Sequence, residues 1–315
     1  MTLLVTGASG FVGRALCAEL RRRGNFFKAA VRAEKTRARG ANSIVVGNSD
    51  AFTDWSVALT GVQTVLHLAA RVHVMHQRVH DPLAEFRATN TAGTLNLARQ
   101  AAQAGAKRLV FVSSIKVNGE YSLPGRPFRE SDVPAPQDAY AVSKHEAETG
   151  LREIADSTGL EVTVIRPPLV YGPCVKANFL SLMQAVQRGL PLPFGSIDNT
   201  RSLVGLDNLV DLILLCSTHI QAANQTFLVS DGHDLSTPDL VLRLADALNV
   251  PPRLLPIPVW ALKMAGTILG KRNAINRLCG NLQVDISHTR QRLGWTPPVS
   301  LDAGLQCAVT GLPGQ

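Results

Sequence analysis

The chain has 315 residues, of which 45% are hydrophobic and 18% charged. This composition can bury a large core and excludes a disordered chain. The length predicts about two domains of roughly 150 residues each. The 32 Lys and Arg residues outnumber the 24 Asp and Glu residues, and the resulting net charge of +8 favours anionic partners.

The cysteines and the apolar segments indicate the cellular compartment of the protein. Five scattered cysteines, with no CxxC pair, exclude a disulfide framework or zinc ribbon and predict a reducing, cytoplasmic compartment. The residues after Met1 look like a strand rather than a signal peptide. The apolar stretch 259–270 is interrupted by Lys263 and is too short to span a membrane.

Short apolar runs alternate with amphipathic segments in the first half of the chain. The runs predict strands at 2–6, 26–31, 43–46, 64–67, 108–112 and 161–165. The amphipathic segments predict helices at 11–23, 84–104 and 139–157. This alternation is typical of right-handed βαβ units around a parallel sheet.

After Arg166 the pattern changes, because prolines and glycines interrupt it before a further helix at 177–188. We therefore predict an α/β fold, a Rossmann-type doubly wound parallel sheet with a smaller C-terminal substrate lobe. Residues 1–166 would form the dinucleotide-binding domain, and residues 167–315 mainly the substrate lobe, with some segments returning to the first domain.

A glycine-rich turn follows the first strand and opens the first helix. Gly7 allows a tight turn, Gly10 lets the backbone approach a pyrophosphate, and Gly13 lets the helix pack closely on the strand. The free N–H groups at a helix N-terminus bind phosphate. The context therefore predicts a dinucleotide site.

The residues after the second strand bear on the choice of dinucleotide. NAD sites usually place an acidic residue there for the ribose 2′-hydroxyl. This chain has Arg32, followed by Lys35 and Arg37, and such cations match a 2′-phosphate. The expected cofactor is thus NADP or NAD, with NADP favoured, although Arg32 could equally cover the adenine face of either.

Tyr140 and Lys144 are four residues apart on a predicted helix, so their side chains share one face. Ser114 follows the strand at 108–112, at the sheet edge where such folds bind ligands. A phenol beside an ammonium group ionises more easily and can act as an acid or base. We predict that Tyr140 transfers the proton, Ser114 orients the reacting oxygen and Lys144 assists the tyrosine.

Six motifs together resemble the extended short-chain dehydrogenases/reductases, in the branch that acts on nucleotide sugars, and the resemblance covers nearly the whole chain. They are Thr6-Gly7-xx-Gly10-xx-Gly13, His67-Leu68-Ala69-Ala70, Asn90-xx-Gly93-Thr94, Ser113-Ser114-xx-Val117-x-Gly119, Tyr140-xxx-Lys144 and Arg166-Pro167-xx-Val170-Tyr171-Gly172-Pro173. The resemblance implies hydride transfer between a nicotinamide and a sugar carbon, in a homodimer that uses a UDP-sugar.

The glycine turn, the residues after the second strand and the resemblance together give the expected ligand contacts. The cofactor contacts are Gly7, Ser9, Gly10, Phe11, Val12, Gly13, Arg32, Lys35, Asn48, Leu68, Ala69, Ala70, Asn90, Val112, Tyr140, Lys144 and Pro167. The substrate contacts are Ser114, Asn178, Phe194, Arg201 and Arg277. Asn48 stands where the family often has Asp, and the spacing around Arg277 departs from the family pattern.

Three reactions are compatible with this fold. A 4,6-dehydratase would need carboxylates where this chain has Ile115 and Lys116, so dehydration is rejected. A 4-epimerase keeps NAD and usually carries the acidic residue that Arg32 replaces. We therefore favour reduction of a UDP-4-keto-hexose in surface-polysaccharide synthesis, with the 4-epimerase as the alternative and a non-catalytic dinucleotide-binding protein as a remote one. Neither a nucleic-acid partner nor a metal site is expected, although His73, His76 and His80 lie close together in sequence.

Overall fold

A computed structural model describes residues 1–33, 42–72 and 81–312 of the chain. The strands and helices, in chain order, are β1 (Leu3–Thr6), α1 (Phe11–Arg22), β2 (Phe27–Val31), β3 (Asn42–Val45), α2 (Ser56–Leu59), β4 (Thr64–His67), α3 (Pro82–Phe86), α4 (Thr94–Gln103), β5 (Arg108–Val112), α5 (Ala139–Thr158), β6 (Glu161–Arg166), β7 (Leu169–Tyr171), α6 (Ala177–Gln187), β8 (Arg201–Gly205), α7 (Leu206–Cys216), β9 (Thr226–Leu228), β10 (Asp234–Leu235), α8 (Thr237–Leu248), α9 (Val259–Ile268), α10 (Arg272–Cys279), α11 (Ser287–Leu293) and α12 (Leu301–Thr310).

Seven parallel strands form the main sheet, in the order β3-β2-β1-β4-β5-β6-β9. The predicted doubly wound fold is therefore confirmed. The strand order reverses between β1 and β4, so the carboxyl ends of these two strands open a crevice of the kind that binds ligands in such sheets. All residues of β1 and β4 are buried, because helices cover both faces of the sheet.

The later part of the chain forms a second, three-stranded sheet, in the order β10-β8-β7. Helices α6, α8 and α12 share one apolar core with it, and Tyr171 of β7 is fully buried there. The later part of the chain also adds a strand to the main sheet, since β9 pairs in parallel with β6. Helix α7 likewise packs in the same core cluster as α1.

The helix expected at 84–104 is interrupted. A π-helical segment, Arg87–Gly93, separates α3 from α4 and carries the buried residues Asn90 and Gly93. A methyl group at position 93 would lie 2.4 Å from the carbonyl oxygen of Ser49, so the loop after β3 touches the helix backbone here. Glycine is needed at this position for close approach rather than for an unusual backbone angle.

No helix in the ranges 1–33, 42–72 and 81–312 is long and apolar enough to cross a membrane.

We expect Gly93→Ala to lower the free energy of unfolding by about 1–3 kcal/mol, because the added methyl overpacks backbone that cannot move aside cheaply. Urea denaturation measures the change. The control is Gly205→Ala, where the nearest atom to the new methyl, the Tyr171 hydroxyl oxygen, lies at an ordinary 3.5 Å. Equal stability losses in the two variants would contradict the steric argument.

Candidate active site

The glycine turn closes tightly between β1 and α1. Gly7 has φ of +67° and its carbonyl accepts the Gly10 N–H at 2.9 Å. A methyl at position 7 would lie 2.7 Å from the Ala69 nitrogen, and one at position 13 would lie 2.1 Å from the Gly7 oxygen. Only glycine therefore fits at these two positions.

The first turn of α1 presents backbone N–H groups that no side chain caps. Gly10 is the N-cap residue and makes no side-chain hydrogen bond to the helix. Ser9 is exposed, whereas Phe11 and Val12 are partly buried against the core. Uncapped donors and the positive end of the helix dipole fit a pyrophosphate, as a dinucleotide site requires.

The segment Leu68–Ala70 forms the opposite side of this crevice. The Ala69 N–H donates to the Thr6 hydroxyl at 3.3 Å. His67 is buried between the hydroxyl groups of Thr6, at 2.6 Å, and Thr94, at 2.8 Å. Burial and the charge of Lys144 lower the pKa of His67 to about 3, so this imidazole is neutral and positions the segment.

Asn90 holds the next residue of the same segment. Its side chain accepts the Arg71 backbone N–H at 2.8 Å and donates to the Arg71 carbonyl at 3.0 Å. Its amide also donates to the Ser143 hydroxyl at 3.0 Å. Both amide N–H groups of Asn90 are thus occupied within the protein, and the residue fixes the wall of the expected cofactor groove.

The two described residues expected at the adenosine half of the cofactor, Arg32 at the ribose 2′-phosphate and Asn48 at the adenine, are both exposed. Arg32 follows β2, and Asn48 lies after β3, where its carbonyl accepts the Thr53 hydroxyl. Lys35 and Arg37 lie outside the described residues, as do His73, His76 and His80. Among the residues that the structure does describe, no group of side chains could hold a metal ion.

Lys144 lies on α5 and is almost wholly buried, with 1% of its surface exposed. Its Nζ donates to the Val112 carbonyl at 2.7 Å and lies 3.9 Å from the centroid of the Phe111 ring. Burial lowers the pKa of Lys144 to about 7, although the charge of Glu148 acts in the opposite direction. The end of β5 and α5 are thereby joined through the lysine.

Tyr140 lies one turn earlier on α5 and is half-buried. Its ring packs edge-on against Phe86, with centroids 6.0 Å apart. Burial and the neighbouring Asp138 carboxylate raise the pKa of Tyr140 well above its ordinary value. The phenol is therefore protonated at neutral pH until a nearby positive charge favours its ionised form.

Ser114 begins a short 3₁₀ turn, Ile115–Val117, directly after β5. Its hydroxyl accepts the Lys116 N–H at 3.3 Å, and Ser114 is half-buried. The next residue, Ile115, donates its N–H to the carbonyl of buried Pro167 at 3.0 Å. Two expected site segments, those of Ser114 and Pro167, are thus in direct contact.

A buried ion pair that the motifs did not reveal lies beneath these residues. Glu148 and Arg166 are 0% and 1% exposed at the side chain, and the nearest guanidinium nitrogen and carboxylate oxygen are 2.6 Å apart. Glu148 also accepts the Ser113 hydroxyl at 2.5 Å, and Arg166 donates to Asn118 at 2.9 Å. The spacing Lys144-xxx-Glu148 was the available signal, because it places both residues on one face of α5.

Lys116 forms a second connection to α5. Its Nζ pairs with Asp138 and lies 3.2 Å from Glu120. Asp138 is the N-cap of α5 and accepts the Ala141 N–H at 2.7 Å. Burial raises the pKa of the Asp138 carboxyl, but the hydrogen bonds from Lys116 and the Ala141 N–H lower it further. The pKa of Asp138 therefore lies below its ordinary value. The helix that carries Tyr140 is thus anchored at its first turn.

Of the expected substrate residues, the structure brings the two arginines together. Nη1 of Arg201, at the start of β8, donates to the carbonyls of Arg277 and Gly280, both at 2.8 Å. Asn178 is exposed near the start of α6, and Phe194 is partly buried against another core. Among the described residues, neither makes a hydrogen bond or ring contact to an arginine.

Residues 3–230 match the sequence model of the NAD dependent epimerase/dehydratase family. The chain belongs to this family. It is a nicotinamide-dinucleotide enzyme of the extended short-chain dehydrogenase/reductase group, the group that the motifs resembled.

Relatives and solved structures of this family match the chain along nearly its whole length. A UDP-glucose 4-epimerase of Vibrio cholerae is 50% identical over 307 residues, which are 97% of this chain and 93% of the relative. A UDP-glucose 4-epimerase of Mycolicibacterium smegmatis is 28% identical over 97% of this chain and 96% of the relative. The crystal structure of a Thermotoga maritima UDP-glucose 4-epimerase with UDP-glucose superposes with a TM-score of 0.78 at 25% identity, covering 99% of this chain and 98% of that one.

We expect the burial of Lys144 to make the stability of this family member depend on pH. A lysine titrates near 10.5 when unfolded and at about 7 here, so between these values the unfolded chain binds the extra proton. Stability therefore rises with pH through this window. From pH 7 to 9.5 the wild type should gain on the order of 3 kcal/mol relative to Lys144→Met.

Urea unfolding of both proteins, each first freed of retained dinucleotide, measures this difference. Parallel pH profiles for the wild type and Lys144→Met would show that the lysine does not titrate as described.

We expect Glu148→Gln to destabilise the protein by about 3–5 kcal/mol, because it leaves the buried Arg166 charge uncompensated. The matched control is Glu153→Gln on the exposed face of the same helix, with an expected change within about 0.5 kcal/mol. Thermal and urea unfolding compare the two variants. Equally small losses of stability in the two variants would show that the ion pair does not stabilise the fold.

Proposed function

We propose that the protein is an NAD-dependent 4-epimerase that interconverts UDP-glucose and the UDP-sugar with the opposite configuration at C4. The observation that carries this proposal is the 50% identity, over 97% of the chain, to a UDP-glucose 4-epimerase. The sequence favoured the reduction of a UDP-4-keto-hexose, with the epimerase as its alternative, and the relatives support the alternative better.

In this proposal, Tyr140 exchanges a proton with the C4 hydroxyl of the sugar. NAD held between the glycine turn and Leu68–Ala70 would supply the hydride acceptor for C4 and the donor for the hydride's return to the opposite face of the keto-sugar. Ser114 orients the C4 oxygen through a hydroxyl whose bond within the protein is long, at 3.3 Å. The Lys144 ammonium favours the ionised form of Tyr140, and its bond to the Val112 carbonyl holds it under the end of β5.

The glycine turn and the uncapped start of α1 support the dinucleotide in this proposal, with Leu68, Ala69 and Ala70 opposite. The preference for NADP was based on Arg32 and Lys35, whereas the family that the chain matches is NAD-dependent. We therefore propose NAD as the cofactor. Arg32, exposed at the end of β2, would then cover the adenine face rather than bind a 2′-phosphate.

The paired arginines support a diphosphate site on the second lobe. Nη1 of Arg201 is occupied by two carbonyls, while its Nε and Nη2 make no hydrogen bond to any described residue. Arg277, half-exposed, lies beside it and 3.9 Å from Glu120. We propose that both guanidinium groups face the UDP diphosphate, with Asn178 and Phe194 as further contacts.

Assembly and location belong to the same proposal. The family resemblance supports a homodimer, and sedimentation velocity tests it. All five cysteines are free thiols, which supports the expected cytoplasmic compartment.

We expect the purified protein to retain NAD, released on denaturation and identified by chromatography, and to convert UDP-glucose without consuming added cofactor. Tyr140→Phe should lower kcat by about 10²–10⁴-fold and retain NAD, because the phenol transfers a proton and is one of many cofactor contacts. Wild-type activity in the Tyr140→Phe variant would contradict its role.

The same preparation separates the competing reactions. An empty site together with NADPH-dependent reduction of a UDP-4-keto-hexose would identify the reductase instead. Retained dinucleotide without turnover of any UDP-hexose would indicate the non-catalytic protein.

A further inference from the structure

Helix α9 exposes a row of large apolar side chains. Trp260, Met264 and Ile268 follow one another at four-residue spacing, with 67%, 56% and 77% of their surface exposed. Residues at this spacing lie on one helix face, and these three are called the apolar stripe below. Leu269, at the end of the helix, is 69% exposed. Such a contiguous exposed patch is uncommon on a protein surface with no partner.

The opposite face of α9 is already packed. Leu262 is buried, and a methyl group added at Gly266 would lie 2.6 Å from the Ile275 side chain of α10. Helices α9 and α10 therefore form a close hairpin, and its orientation leaves the apolar stripe outward. Hydrogen bonds also connect the hairpin to β8, because the Arg201 guanidinium donates to the backbone carbonyls of Arg277 and Gly280.

The charged residues of the chain segment that carries the apolar stripe have one sign. Residues 247–284 contain no Asp or Glu and five basic residues, at 253, 263, 271, 272 and 277. Lys271 and Arg272 lie at the tip of the hairpin, beside Ile268 and Leu269, and both are exposed. Neither these two nor Lys263 forms an ion pair with any residue in the described ranges.

We propose that the α9–α10 hairpin docks on an anionic lipid surface, with the apolar stripe inserted at the headgroup boundary. The charge of the segment favours an anionic lipid as the partner. Its unpaired cations lie beside exposed apolar side chains and complement negatively charged headgroups, and residues 247–284 contain no carboxylate side chain that would repel them. Tryptophan is also the side chain that favours the membrane interface. Helix α9 has ten residues, so it would lie on the membrane and not cross it.

The three tryptophans give a direct measurement. Trp55 and Trp295 are 1% and 4% exposed, whereas Trp260 is 67% exposed, so a change in fluorescence on docking reports Trp260. We expect emission to shift to shorter wavelength, and the protein to sediment, with vesicles of equimolar phosphatidylglycerol and phosphatidylcholine. Vesicles of phosphatidylcholine alone should bind much more weakly.

Variants test the apolar and the charged parts separately. Trp260→Ser should abolish sedimentation, whereas Phe52→Ser, at a 94% exposed side chain elsewhere, should leave it unchanged. Lys271→Glu should weaken binding about 25-fold, since each unit of charge near an anionic surface contributes about fivefold. Arg188→Glu, an equal charge change at an exposed residue after α6, is its control.

Three results would overturn the proposal: no vesicle binding by the wild type, binding that survives Trp260→Ser, or equal binding to vesicles without phosphatidylglycerol. A fourth is a dimer that dissociates on Trp260→Ser in sedimentation velocity, which would assign the apolar stripe to a second copy of this chain. None of these outcomes depends on the enzyme's substrate, so they are independent of the proposed epimerase.

Discussion

The carboxylate of Glu148 and the guanidinium of Arg166 meet at 2.6 Å where almost no water reaches either. Two charges in such a place are tolerated only if their remaining hydrogen-bonding positions are filled. Ser113 and Asn118 fill them, and each belongs to the segment that leaves β5. The ion pair thus ties α5, β5 and β6 together at one point. Because Tyr140 and Lys144 lie on that same helix, and Ser114 on that same segment, the ion pair links the elements that carry these three residues.

A second constraint follows from the burial of Lys144. An ammonium group in an apolar interior is costly, and here the Val112 carbonyl, the face of Phe111 and the charge of Glu148 compensate it in part. Neighbouring His67 is neutral, so it adds no further repulsion. The lysine is therefore held under the end of β5 with its charge only partly balanced. Such a residue favours an anion nearby, and in the proposed reaction an ionised Tyr140, before it accepts the proton, would supply one.

The elements that could be predicted are those with local signals. Short apolar runs between amphipathic segments predicted the bounds of β1, β2, β4, β5 and β6 to within a residue or two. The glycine spacing predicted the turn after β1. The π-helical segment has no such local signal, and its last residue, Gly93, lies against Ser49, 44 positions earlier in the chain. Likewise, Arg166 falls in a family motif and Glu148 lies one helical turn after Lys144, but neither pattern pairs the two, and only the packing of α5 on β6 brings them together in the interior. The expected site residues near Arg32 and Ser114 follow strand ends, which topology alone places at one edge of the sheet.

The positions of the charged residues distinguish a nucleotide site from a cationic surface, which the net charge of the chain alone does not. The surplus of +8 first favoured anionic ligands in general, and the basic residues near the glycine turn and Arg201 pointed to nucleotides. Yet residues 247–284 contribute five basic and no acidic residues, a charge of +5, so the other 277 residues carry a net +3. A nucleotide site needs only a few cations at fixed positions, as the paired arginines illustrate. Three of these five basic residues, Lys263, Lys271 and Arg272, lie on the α9–α10 hairpin outside the proposed diphosphate site, and the outer face of this hairpin is apolar. A diffuse cationic and apolar surface matches an extended partner better than a small ligand.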